Sequence, residues 1–99
     1  MKQQDNVSVR IEKGIASKGK LRILRALATN TNRPLSKYLL ERSTGVKAHS
    51  LYTDLNALIE LGWVYEITES DRIKRYSLNY EDEQLVKLLE FLRTVGYFI

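Results

Sequence analysis

The hydrophobic repeat of this chain changes period at Gly62, and that switch narrows the folds open to it. Before it, Leu51, Leu55, Leu58 and Ile59 recur at spacings of four, three and one, the stripe of an amphipathic helix over about 47–61. After it, 63–68 and 73–78 are rich in β-branched and aromatic residues and flank Glu69-Ser70-Asp71-Arg72, the pattern of a hairpin. Helix and hairpin must share one core with whatever precedes them, because 99 residues support a single domain.

Upstream, two more helices are expected. Over 18–29, Leu21, Ile23, Leu24, Leu27 and Ala28 make an apolar stripe behind Ser17 as N-cap, with Lys18, Lys20, Arg22 and Arg25 on the remaining faces. The turn-forming run Asn30-Thr31-Asn32-Arg33-Pro34 stops it. Ser36 then caps a short helix over 37–43, which buries Leu39 and Leu40 and ends at Gly45. Residues 1–6 are polar. Over 7–16 the pattern fits either a strand (Val7, Val9, Ile11) or a helix (Val7, Ile11, Ile15), and the helix is favoured despite Gly14.

For the hairpin, a tight turn at Ser70-Asp71 sets Thr68 opposite Ile73, Ile67 opposite Lys74, Glu66 opposite Arg75 and Tyr65 opposite Tyr76. That register gathers Trp63, Tyr65, Ile67, Tyr76 and Leu78 on one face and pairs Glu66 with Arg75 on the other. A last helix is expected over 80–95, with Asn79 as cap and Glu81, Asp82 and Glu83 near its positive end. The fold class is α+β: mostly α with a small β-hairpin.

Charge is segregated along the chain. Residues 1–50 hold eleven lysines and arginines against three acidic residues, while 51–99 hold five against nine. A basic face for a polyanion is one reading, and charges that scatter again in space is the other. The chain has no cysteine and one histidine, His49, which leaves little for a thiolate metal site, a proton relay or a nucleophile. Glu81, Asp82 and Glu83 are consecutive and diverge around a helix, so an enzyme is not expected. No cofactor or metal is expected. No apolar run is long enough to span a membrane, and 1–15 carries no signal-peptide core, so a cytoplasmic protein with no membrane partner is expected.

Three helices, a tight turn between the second and third, and a hairpin form the layout of a winged helix-turn-helix. The stretch Leu51, Leu55, Leu58, Leu61-Gly62-Trp63-Val64, followed by a charged hairpin closing in Tyr76-Ser77-Leu78, resembles archaeal and bacterial winged-helix transcriptional regulators of the ArsR/MarR-like groups. The resemblance covers roughly 18–78. It implies a DNA-binding domain over 17–79, flanked by an N-terminal extension (1–16) and a C-terminal helical segment (80–99). It also implies a recognition helix at about 47–61 and a wing at 69–75 that meets the backbone or minor groove of double-stranded DNA. The cysteines with which many ArsR-like proteins sense metals are absent, so metal sensing is not carried over.

With the leucines turned inward, Lys47, Ala48, His49, Ser50, Tyr52, Thr53 and Asn56 are left outside, where such side chains meet phosphates, base edges and thymine methyls. Asn56 suits adenine, Lys47 guanine or phosphate, and Tyr52 phosphate. Asp54 would be repelled by phosphate and is excluded. Arg72, Lys74 and Arg75 on the wing, and Arg33, Ser36 and Lys37 around the second helix, complete the expected contacts. For each of these residues, an ordinary solvated surface is the competing reading.

On the last helix, Leu85, Val86, Leu88, Leu89, Phe91, Leu92 and Val95 span roughly 220° of the wheel, more than packing on one side requires. With Tyr97 and Phe98 they form the expected homodimer interface, carried mainly by Leu85, Leu88, Leu89, Phe91, Leu92 and Val95. The alternative is a monomer whose helix lies under the N-terminal segment. The functional alternatives are a winged helix that binds another protein without specific DNA binding, and an RNA or nonspecific nucleic-acid binder.

Overall fold

In a computed structural model, residues 17–30 and 33–98 are described. The N-terminal extension over 1–16, with its expected helix at 7–16, lies outside them. The order is α1 (Lys18–Thr29), β1 (Leu35–Ser36), α2 (Lys37–Thr44), α3 (Ala48–Glu60), β2 (Val64–Thr68), β3 (Lys74–Leu78) and α4 (Glu83–Thr94). Ser17 caps α1, its Oγ accepting from the Lys20 amide at 3.0 Å. Ser36 caps α2 in the same way, accepting from the Leu39 amide at 3.3 Å. Gly45, at φ 72°, closes α2 in the left-handed conformation that a Cβ disfavours.

What aims α3 is the turn before it. Thr44 is buried, donating from Oγ1 to the Leu40 carbonyl at 2.6 Å and accepting from the Val46 amide at 3.1 Å. Arg22, reaching across from α1, donates to the Thr44 carbonyl at 3.2 Å. Leu51, Leu55 and Leu58 then enter a core with Ile23, Leu24, Leu40, Trp63, Tyr76 and Leu85, all fully enclosed. Each such side chain contributes on the order of 1.5–3 kcal/mol by leaving water.

The hairpin differs from the expected register by one residue. Val64 faces Leu78, Tyr65 faces Ser77, Glu66 faces Tyr76, Ile67 faces Arg75 and Thr68 faces Lys74. The cause is the turn. Glu69 and Ile73 close it, the Glu69 amide donating to the Ile73 carbonyl at 2.9 Å, so three residues form the loop rather than two. One added residue moves every partner, and the buried face becomes Val64, Tyr76 and Leu78, while Tyr65 and Ile67 turn to solvent. Glu66 lies opposite Tyr76, not Arg75.

The sheet also has a third strand. β1 pairs antiparallel with β3, Leu35 with Tyr76 and Ser36 with Arg75, giving the order β1-β3-β2. The last helix starts later than expected, with Asp82 as cap, its Oδ1 accepting from the Leu85 amide at 3.0 Å. Asn79 is engaged elsewhere: its Nδ2 donates to the Gly62 carbonyl, and its Oδ1 accepts from the Tyr65 hydroxyl and the Glu81 amide.

Candidate nucleic-acid interface

The inward stripe of α3 fixes what faces out. Lys47, Ala48, His49, Ser50, Tyr52, Thr53 and Asn56 are all exposed, so the structure brings the expected helix residues together on one outer surface. Lys47 occupies the cap position without a side-chain cap bond, which leaves the first amides of α3 open to an acceptor. The Thr53 hydroxyl donates back to the His49 carbonyl at 3.3 Å, so its proton is committed within the helix. Tyr52 carries the Lys37 ammonium over its ring, 4.5 Å from the centroid, and this contact joins α2 to the front of α3.

Asp54 sits at the side of that front, half-buried on the side of α3 that faces α1. Its carboxylate rests against Gly19 in the first turn of α1, where a Cβ on residue 19 would meet its Oδ2 atom. That turn has no acidic residue of its own and carries Lys18 and Lys20, so a carboxylate there is favoured by the helix dipole. Gly19, a residue that weakens a helix, is the sequence signal for this close approach. An open cleft of about 590 Å³ runs between the start of α1 and the start of α3, and Asp54 shares its walls with Lys18, Arg22, Lys47 and His49.

The wing is arranged differently. Arg75 is half-buried and its Nε donates to Glu69 Oε2 at 2.8 Å. Lys74 Nζ lies 3.6 Å from Glu66 Oε1, and the other oxygen of Glu66 accepts from the Tyr76 hydroxyl at 3.2 Å. Burial, reinforced by Glu66, pushes the Tyr76 phenol up to about 12. Arg72 is exposed and has no ion pair among the described residues. Arg33 and Lys37 are also exposed; Ser36 is half-buried with its oxygen engaged as a cap. A second cleft, of about 310 Å³, separates the start of α2 from the wing, and Lys37, Arg72 and Lys74 border it.

At the C-terminal end, Leu85, Leu88, Leu89, Leu92 and Phe98 are buried in the chain's own core, and Tyr97 is half-buried under Arg25, whose guanidinium lies 4.7 Å from the ring centroid. Phe91 and Val95, one turn apart, are 60% and 59% exposed. Among the described residues there is no cluster of three His, Asp or Glu that could hold a metal, and no helix long and apolar enough to cross a membrane.

The chain is similar in structure to HlyU from Vibrio cholerae N16961, with a TM-score of 0.77 at 20% identity over 99% of this chain and 100% of that one. Reduced HlyU from the same organism gives 0.77 at 22% identity, over 97% and 95% of the two chains. The transcriptional repressor BigR from Xylella fastidiosa gives 0.75 at 21% identity, over 97% of this chain and 92% of that one. No protein-family model matches the sequence, and no curated protein matches it. The likeness establishes the architecture, four helices and a small three-stranded antiparallel sheet in the winged-helix fold.

Proposed function

We propose that this winged-helix protein is a homodimeric transcriptional regulator that binds double-stranded DNA sequence-specifically, with α3 in the major groove and the wing on the backbone or minor groove. One observation carries the reading. The first three turns of α3 present Lys47, His49, Ser50, Tyr52 and Asn56 outward, and the acid within that span, Asp54, is placed against α1. The description of BigR as a transcriptional repressor supports the same reading. The protein acts in the cytoplasm, without cofactor or enzymatic step. Phe91 and Val95 belong to the dimer contact, and two-fold symmetry then sets two recognition helices about 34 Å apart on a pseudo-palindromic site.

Fluorescence anisotropy with selected and random duplexes across a salt series tests this. Salt-dependent binding with a preferred sequence, a slope of about −5 to −10, and loss of that preference in the Lys47→Ala/Asn56→Ala double variant are expected. Weak binding with no salt dependence would reject DNA and favour a protein-binding winged helix. Sedimentation of a Phe91→Glu/Val95→Glu variant tests the dimer, with a shift to monomer expected.

A further inference from the structure

We propose that the cleft between α2 and the wing is a seat for one backbone phosphate of the duplex, held jointly by Lys37 from the helix and Arg72 from the wing. The proposal rests on the DNA reading and assigns it a specific subsite. Three cations border the cleft, and they are not equivalent. Lys74 lies 3.6 Å from Glu66, so much of its charge is already answered. Lys37 and Arg72 have no ion pair among the described residues, although they come from elements more than thirty residues apart in sequence. Two positive charges that no carboxylate pairs among the described residues, at the border of one opening, focus a field that attracts an anion.

Lys37 is also held in place. Its ammonium lies 4.5 Å from the centroid of the Tyr52 ring, so less side-chain freedom is lost when it meets a ligand. Tyr52 is exposed on the front of α3, so Lys37 borders the cleft and touches the surface that α3 offers to a groove. A phosphodiester of the strand passing α3 therefore reaches Lys37 and Arg72 together. Ser36, whose Oγ accepts from the Leu39 amide, still has a proton to donate at the cleft wall.

Salt-dependent binding to a short mixed-sequence duplex, by anisotropy, tests the seat with Lys37→Gln, Arg72→Gln, their double variant and Lys37→Arg. Circular dichroism melts confirm that each is folded. Each neutral variant is expected to weaken binding about tenfold at low salt. The double variant should lower the slope by about 0.9 per protomer, the share of one phosphate, and Lys37→Arg should keep the wild-type slope. A scan of single neutral methylphosphonate linkages should find one position per bound protomer that weakens the wild type and leaves the double variant unchanged. A double-variant loss of about 1.8 per protomer would mean two separate phosphates and overturn the shared seat. So would unchanged binding, or a loss that no single linkage reproduces. In those cases the wild type still binds DNA and the broader reading stands; if the wild type fails to bind any duplex, both fall.

Discussion

The front of α3 and the wing both lie on the expected DNA side, yet they dispose of their carboxylates in opposite ways. On α3 the acid within the reading span, Asp54, is turned onto the first turn of α1, and Lys47 and His49 are left without a carboxylate partner among the described residues. On the wing, Glu69 and Glu66 stay beside Arg75 and Lys74 and offset them. Counting basic residues along the sequence therefore overstates the wing and gives the helix its due. Exposed pairs of this kind add little to stability, so the effect to look for is on binding.

The largest break in this comparison comes from exchanging a free cation for a tethered one. Lys47→Ala should weaken duplex binding about tenfold and lower the salt slope by about one per protomer, whereas Arg75→Ala should change both very little. Equal losses would show that the wing pairs open on contact with DNA. Next in size is the placement of Asp54. In an Asp54→Ala background, Gly19→Ala should raise stability by up to about 1 kcal/mol, the ordinary gain of a helical alanine. With Asp54 present that gain should vanish, because the new Cβ displaces the carboxylate; denaturant melts of the four proteins give the coupling.

A smaller effect is expected from Glu69→Gln, which releases Arg75 and should tighten binding a few-fold with a steeper salt dependence. The smallest concerns Tyr76, where the wing strand enters the core. The Tyr76 phenol titrates at about 12 in the fold against an ordinary 10.0, so the folded state favours its neutral form. The stabilisation is whole below pH 10 and is lost as pH rises towards 12. Alkaline melts should show a steeper slope in the wild type than in Tyr76→Phe, where Tyr80, whose phenol is also raised by burial, leaves a smaller slope of the same sign.

The helices were legible because their signals are local and repeated. Leu51, Leu55 and Leu58 gave one face, and Ser17, Ser36 and Gly45 marked ends by chemistry that acts within four residues. That same stripe made the outer residues of α3 readable by elimination. The hairpin register depended on one loop residue, and no periodicity in the strands distinguishes a two-residue turn from a three-residue one. Strand β1 is two residues long, too short to show a period. Asn79 reads as a cap in isolation and is drawn to Gly62 instead by a partner seventeen residues back. The contacts of Lys37 with Tyr52 and of Arg22 with Thr44 join distant segments and leave no mark in the sequence.

Strand β1 makes the wing inseparable from the helices. Ser36 ends β1 against Arg75 and in the same position caps α2, so β3 is stitched to the start of the helix-turn-helix by backbone bonds. A wing on a free hairpin would swing to suit whatever duplex it met; this one is a fixed jaw. If the proposed DNA reading holds, strain on closing falls on the nucleic acid, and the preferred sites should be those whose base steps bend or narrow most cheaply to fit, even at positions no side chain touches.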